Sequence, residues 1–424
     1  MSAGAFSFML VWLEYLFAMT FVTSGAKLTI TAGIASVVGR YWAGYFLPIA
    51  ASVIATAPPE ERKGGPIMEN KEEPLEVLHA SYYPAREKLV VNELWFNFMP
   101  SWWNRGYGIT YGKRFVYDPD YRTEMHRFFD RTLSERFSGC GLGDRDARPK
   151  VTSPDFGNAV TPAVAGCHVE FPDDNYPWNR HLTRDEARAL VPPQDPDRQF
   201  PYTDIISQIA YLNGKLGTTM RPYLPTRGIL NDAELIVGED VFADMINDPD
   251  TAGALFNWLL ALFSRNMEIN CARFGYKSNI ILTNCAVMMI SPQMYESVLM
   301  DYDRKMWAIS SRQRLGFMIH HCGTFDRYRD LYRKLGRIDM LEIGWGSDLR
   351  RAMEVFPETK FSYIFDPKFL MRSTRREIRE KIREIFDAAR GNLPRLVLAM
   401  ADVEDGTPDE NIAEMVECCR KGFP

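Results

Sequence analysis

Two adjacent histidines and a cysteine end an apolar run in the sequence Met-Ile-His-His-Cys-Gly, residues 318–323. Side chains alternate between the two faces of a β-strand, so His320 and Cys322 share one face and His321 points to the other. An imidazole and a thiolate on one face suit zinc, which takes nitrogen and sulfur ligands. The alternative is a buried cysteine beside two hydrogen-bonded histidines. Two ligands do not make a metal site, so the spacing alone leaves both interpretations open: zinc on His320 and Cys322, or a buried structural cysteine with hydrogen-bonded histidines. In either case His321 points away, toward a structural role.

The elements that would position these residues are short apolar runs, which alternate with longer amphipathic stretches from residue 88 onward. Repeated strand–helix units predict an α/β fold with a parallel sheet, and eight units predict a closed (β/α)8 TIM barrel. The eight predicted strands are Leu89–Phe98, Gly166–Phe171, Thr218–Leu224, Asn279–Cys285, Leu315–Cys322, Asp339–Trp345, Phe361–Phe365 and Arg395–Ala401.

Two helix starts near the C-terminus indicate where the barrel loops lie. Thr374 with Glu377, and Thr407 with Glu410, have the spacing of a capping box. The segments before these helices follow strands, and in a TIM barrel such loops form the catalytic face. We therefore expect polar groups from several loops to converge there: His320, Cys322, Glu342, Asp366, Asp402 and Glu404.

Composition excludes some classes of function. The chain has 424 residues with a formal net charge of -5, which argues against a nucleic-acid groove because phosphate binding relies on clustered Lys and Arg. Its seven scattered cysteines do not form a disulfide framework. We expect a cytoplasmic protein.

The N-terminal segment differs from the rest. Residues 1–57 are rich in apolar residues but marginal as membrane spans, because Glu14 interrupts the first run and Pro48 the second. Residues 1–67 are a hydrophobic extension, either a membrane-associated leader, a soluble extension or a segment upstream of a true start at Met68. Residues 68–424 are then expected to form one TIM-barrel catalytic domain.

Four stretches of the C-terminal half resemble the uroporphyrinogen decarboxylase superfamily. They contain an Ile-Ser-Pro turn at 290–292, the His-x-Cys-Gly strand end at 320–323, the segment that begins Phe-Asp-Pro at 365, and the helix start Gly-Thr-Pro-Asp-Glu-Asn at 406–411. The resemblance implies a (β/α)8 barrel. In place of the arginine-rich motif of true decarboxylases, this chain has Arg105 alone among aromatic residues. The better match is to the corrinoid-linked methyltransferases of the superfamily.

That branch binds zinc through His-x-Cys and a later ligand, often cysteine, before the last helix. His320 and Cys322 match the first two ligands, but Ala401 lies near the position expected for the third. Asp402 or Glu404 could ligate zinc through oxygen instead. Glu342 and Cys285 are further possibilities.

The resemblance implies a zinc-dependent methyltransferase that moves a methyl group between a small methylated substrate, or a thiol, and a corrinoid such as methylcobalamin. No corrinoid-binding domain is evident, so a partner corrinoid protein would supply that cofactor. Glu342 and Asp366 are the candidate catalytic residues. The predicted substrate pocket contains Trp102, Trp103, Tyr107, Asn284 and Cys285.

Two other functions remain open from the sequence. One is a metal-free lyase of the same fold that decarboxylates a non-porphyrin acid. The other is a catalytically inactive accessory barrel, which the missing third thiolate would explain.

Overall fold

The computed structural model describes residues 82–86, 88–277 and 279–423. The predicted hydrophobic extension at residues 1–67 and the candidate start at Met68 lie outside the described residues.

One seven-stranded sheet organises the described chain. Its order is β1-β2-β9-β8-β7-β6-β5; β1 pairs antiparallel with β2, and all other pairs are parallel. This is the α/β architecture of the predicted (β/α)8 barrel. The strands are β1 (Tyr82–Pro84), β2 (Glu93–Phe98), β5 (Ile280–Thr283), β6 (Phe317–His321), β7 (Met340–Gly344), β8 (Lys360–Ile364) and β9 (Leu396–Val403), and a separate hairpin is formed by β3 (Val169–Glu170) and β4 (Trp178–Asn179).

Helices connect and cover these strands. Those before β5 are α1 (Pro100–Tyr107), α2 (Gly112–Tyr117), α3 (Pro119–Arg136), α4 (Val160–Val164), α5 (Arg184–Arg188), α6 (Tyr202–Leu216), α7 (Ile229–Val237), α8 (Asp240–Asn247) and α9 (Pro249–Ala272). Those after β5 are α10 (Pro292–Met294), α11 (Met300–Gln313), α12 (Arg329–Tyr332), α13 (Leu349–Val355), α14 (Phe369–Arg372), α15 (Arg375–Ala388) and α16 (Asp409–Lys421).

Six of the eight predicted strands join the parallel sheet, and two do not. In Gly166–Phe171, only Val169–Glu170 is a strand, and it pairs with β4 instead of the sheet. Thr218–Leu224 has no regular strand structure. Pro222 lies within it and Pro225 follows it, and proline cannot donate to a strand ladder.

A side chain takes over part of the missing ladder around Thr218–Leu224. The Asn270 amide accepts from the Leu224 backbone N–H at 2.9 Å and donates to the Leu224 carbonyl at 2.7 Å. Both residues are fully buried. The buried backbone N–H and carbonyl of Leu224 therefore have hydrogen-bond partners without a neighbouring strand.

The two predicted capping boxes have different outcomes. Thr374 caps α15 and Glu377 completes the box, as predicted. The box at Thr407 and Glu410 is wrong: Pro408 is the capping position, has an extended backbone and α16 begins at Asp409. Thr407 therefore lies one residue too far from the first turn to bond its N–H groups.

Alternation along the strands separates two apolar clusters. The barrel interior holds a small cluster of Trp95, Ile281, Cys285, Met318, Cys322, Met340, Ile364, Val397, Ala399 and Ala401. The opposite faces of the same strands pack against the helices in a much larger core. Among the described residues, no helix combines the length and apolar character that crossing a membrane requires.

We expect Asn270→Ala to lower the free energy of unfolding by about 2–4 kcal/mol, because it removes two hydrogen bonds and leaves two buried backbone groups unsatisfied. Urea unfolding followed by tryptophan fluorescence measures this change. Asn257→Ala, an exposed position on the same helix α9, is the matched control. Equal stabilities of the two variants would show that the Asn270 amide does not hold the segment.

Candidate metal centre

Cys285, His320 and Cys322 form a buried cluster in the barrel. One donor atom of each, the two Sγ atoms and a ring nitrogen, lie within 4.8 Å of one another. Met318 and Cys322 face the interior, and His320 lies between them on the same face of β6. His321 points to the opposite face, where its Nδ1 lies 2.8 Å from the Tyr332 hydroxyl. The strand period thus separates the two histidines as expected.

The register between β5 and β6 places Cys285 beside Cys322. Thr283 is paired with His320, and the Asn284 N–H donates to the His320 carbonyl at 2.8 Å. Cys285 therefore follows directly after the last hydrogen-bonded position of β5. Its side chain returns to the interior because Ile281, Thr283 and Cys285 occupy alternate positions.

The turn after Cys285 is anchored on both sides. Asn231 on α7 accepts from the Ala286 N–H at 2.9 Å. The Tyr328 hydroxyl lies 2.6 Å from the Val287 carbonyl and 2.7 Å from the Ile290 carbonyl. Because these contacts come from two other segments, the position of the Cys285 thiol does not depend on its own strand alone.

Gly344 at the end of β7 permits a close approach of the chain that carries Cys322. A Cβ atom at Gly344 would lie 1.8 Å from the Cys322 carbonyl oxygen. Any side chain there would displace the backbone of Cys322. Glycine is therefore required for the cluster geometry.

Glu342 on β7 orients His320. Its Oε2 lies 2.7 Å from His320 Nδ1, and both side chains are fully buried. A carboxylate accepts this hydrogen bond, so Nδ1 carries the proton and Nε2 is left for the two cysteines. A carboxylate behind a histidine is the usual arrangement for a metal-binding imidazole.

The cluster favours a thiolate. Burial raises the pKa of Cys285, but the hydrogen bond with Cys322 and the charge of His320 outweigh burial and hold that pKa well below its usual range. The hydrogen bond to Cys285 and burial raise the pKa of Cys322. Burial lowers the pKa of His320, but the Cys285 charge and hydrogen bonds to Cys285 and Glu342 raise it to about 9. A thiolate is the form that binds metal ions.

This donor set fits zinc. Two cysteines and one histidine are the protein ligands of a known type of catalytic zinc site, which leaves a fourth position open. With bonds of about 2.0–2.3 Å to zinc, the donor atoms of a tetrahedral site lie roughly 3.5–4 Å apart. The three donor atoms here lie within 4.8 Å of one another. The types and proximity of these residues are therefore compatible with zinc.

Asp402 and Glu404, the predicted oxygen ligands, do not join this cluster. β9 is separated from β6 by β8 and β7, whereas β5 is hydrogen-bonded to β6 directly. The third donor beside His320 and Cys322 is Cys285. The sequence had suggested Cys285 both as a substrate-pocket residue and as one of several further possible ligands. Asp366, a predicted catalytic residue, lies on the Asp402 side, where it acts electrostatically on that carboxyl group.

The predicted aromatic pocket belongs mainly to the packed core. Trp103 is 1% exposed and stacks on Phe129 at 4.1 Å between ring centroids. Trp102 is 3% exposed and lies under the Arg136 guanidinium. Half-buried Tyr107 is hydrogen-bonded to the same guanidinium.

Asn284, the fourth predicted pocket residue, also faces away from the cysteines. Its Nδ2 donates to Asp303 at 2.8 Å in the layer between sheet and helices. Alternation along the chain could have indicated this difference: Asn284 and Cys285 are consecutive residues directly after β5, and Cys285 is an even number of residues from the interior position Ile281.

Comparison with known proteins agrees with this architecture. A family model described as uroporphyrinogen decarboxylase (URO-D) matches residues 155–422, more than half of the chain. No curated protein sequence matches. A solved structure of a methyltransferase from Methanosarcina mazei is similar with a TM-score of 0.55 and 13% identity, over 80% of this chain and 95% of that one. At this identity the similarity shows a shared fold.

We expect Asp402→Asn to raise the melting temperature at pH 8 and to have less effect as the pH falls toward 4. Burial, with the charges of Glu404 and Asp366, raises the pKa of Asp402 well above its usual value. A carboxyl group whose pKa is raised in the folded state makes the protein less stable as pH rises from the unfolded-state pKa to the folded-state pKa, and asparagine cannot ionise. Thermal melts of both proteins between pH 4 and 8 measure the difference.

Asp301→Asn is the control for this experiment, because Asp301 is exposed on the surface of α11 and pairs with Lys305. It should not show the same pH-dependent gain. A constant difference between wild type and Asp402→Asn across the pH range would contradict a buried ionisable carboxyl at this position.

Proposed function

Because the chain belongs to the uroporphyrinogen decarboxylase family, we propose that it is a zinc-dependent methyltransferase of that family. It would transfer a methyl group between a small methylated substrate, or a thiol, and a corrinoid carried by a partner protein. The observation that carries this proposal is the buried Cys285–His320–Cys322 cluster with Glu342 behind the histidine. The methyltransferase from Methanosarcina mazei with the same fold supports it.

The chemistry required is activation of a heteroatom. Zinc, when bound, lowers the pKa of a coordinated thiol or polarises a bound heteroatom as a Lewis acid. Three protein donors leave one position for that group. Cys285, His320 and Cys322 would hold the ion, and Glu342 would fix the His320 ring and its tautomer.

The surrounding residues keep water from the cluster. All three donors are buried, and Met318, Met340 and Ile364 are among the apolar interior side chains of the same cluster. Low polarity strengthens the electrostatic interactions of a thiolate with a bound cation. The substrate and the corrinoid would approach from the carboxyl ends of the strands, where Cys285 and Cys322 lie.

We expect about one zinc per chain in the purified protein, and its loss in Cys285→Ser as well as in Cys322→Ser. Cys285→Ser is the sharper variant, because it tests the ligand that β5 contributes. Inductively coupled plasma mass spectrometry gives the stoichiometry. Cys271→Ser, which changes a half-buried cysteine on α9, should retain zinc.

Metal content also separates the two alternative functions from this one. A folded, metal-free protein that decarboxylates an acid would replace the proposal with the lyase. The absorbance of methylcobalamin reports its consumption. A zinc-containing protein that does not consume methylcobalamin in the presence of thiols or a corrinoid protein would favour the accessory barrel.

We expect Glu342→Gln to weaken zinc affinity by about 10- to 100-fold while preserving the fold, because the amide is a poorer acceptor for the His320 Nδ1 proton. Competition with a chromophoric chelator measures the affinity. Glu354→Gln, at an exposed position on α13, is the matched control. An unchanged affinity in Glu342→Gln would mean that Glu342 does not support the metal centre.

A further inference from the structure

A second polar group lies at the carboxyl ends of β8 and β9, apart from the cysteine–histidine cluster. It consists of Asp366, Asp402 and Glu404. Asp366 follows β8, and its Oδ1 accepts from the Lys368 backbone N–H at 2.7 Å. Glu404 accepts a hydrogen bond from the Ser101 hydroxyl. Asp402 is 4% exposed and belongs to β9 itself.

A β-bulge turns Asp402 toward the barrel interior. Phe96 is paired with Met400 and Phe98 with Val403, so Asn97 alone faces both Ala401 and Asp402. Ala401 belongs to the interior cluster. Without the extra residue, Asp402 would follow Ala401 onto the helix-facing side; with it, Asp402 lies near Asp366 and Glu404.

Asp402 is a buried acceptor without a donor among the described residues. Its Oδ1 is inaccessible to solvent and accepts no hydrogen bond, and the same holds for Oδ1 of Asn97 opposite the bulge. Buried carboxylates in proteins are normally paired with a cation or with hydrogen-bond donors. Two such acceptors on neighbouring strands therefore indicate a ligand that supplies positive charge.

The surrounding charges do not compensate Asp402. The side chains that act on its carboxyl group are Glu404 and Asp366, both acidic. Arg105 and Lys368 act on Glu404, and Arg105 lies 3.6 Å from Asp405. No basic side chain is among the groups that act on Asp402, so a cation from outside the chain would stabilise its ionised form.

We propose that Asp402, with Asp366 and Glu404, binds the positively charged nitrogen of a small organic molecule. A metal ion fits less well. Within the described part of the chain, the cysteine–histidine cluster is the one group of three such donors whose ligand atoms lie within 4.8 Å of one another. Hard cations need six or more oxygens at about 2.0–2.6 Å, whereas an ammonium group is larger and is attracted by carboxylates that stand farther apart.

The cation site extends the proposed function. It rests on that function only in the assumption that the cation is part of the methyl donor or acceptor. β9 and β6 are three strand spacings apart, about 14 Å along the sheet. A substrate that reaches both groups is therefore elongated, with the cationic nitrogen at Asp402 and the reacting heteroatom at the cysteines. A methylated amino compound or an aminothiol has this chemistry.

Calorimetric titration of the full chain with choline and with 3,3-dimethylbutan-1-ol tests the proposal, because the two molecules differ in charge and hardly in shape. Butylammonium and butan-1-ol form a second pair for a primary ammonium. We expect at least one cation to bind at least tenfold more tightly than its neutral partner. Asp402→Asn should abolish that preference, Glu404→Gln should reduce it, and the surface variant Asp301→Asn should leave it unchanged.

The proposal is overturned if neither cation binds, if each neutral partner binds as tightly as its cation, or if Asp402→Asn and Glu404→Gln bind the cation like wild type. Stoichiometric binding of Mg²⁺ that depends on Asp402 and excludes the cations would also overturn it, in favour of a metal site. The titration uses zinc-free and zinc-loaded protein. If the protein prefers the cation but has neither zinc nor methyl transfer, the cation site is supported and the proposed function is wrong. If the protein binds zinc but shows no preference for the cation, the cation site is wrong and the proposed function is unaffected.

Discussion

The hydrogen-bonded register of β5 against β6 is the constraint on which the candidate metal centre depends. Pairing of Thr283 with His320 brings the end of one strand beside the end of the other. A shift of one residue would turn Cys285 to the helix-facing side and leave two donors in the interior. Hydrogen bonds from Asn231 and Tyr328 fix the turn after β5 and so stabilise this register next to Cys285.

Local periodicity was enough to predict part of this molecule. The alternation in β6 separated His320 from His321, and the apolar runs located six strands of the parallel sheet. Periodicity could not single out Cys285 among the possible third donors, because that choice depends on which strands are neighbours. Cys285 and Cys322 are far apart in sequence, and only the order of strands in the sheet brings them together.

Other sequence patterns failed for local reasons. Pro222 and Pro225 prevent a ladder where hydrophobicity indicated a strand, and the extended backbone of Pro408 moves Thr407 out of the capping position. The bulge at Ala401 and Asp402 is a change of register that no pattern of residue types displays. The aromatic residues after β2 were expected to line a pocket, but these large side chains pack against Phe129 and Arg136.

The position of Cys285 also affects the entropy of assembling the centre. Joining residue 285 to residue 322 closes a loop of about 37 residues, whereas joining residue 322 to a third donor at position 401 would close a loop of about 79 residues. The entropic cost of closure rises with loop length. The three donors and the Glu342 carboxylate come from consecutive strands β5, β6 and β7. During synthesis, the ribosome therefore adds the whole ligand set to the chain before it makes β8 and β9.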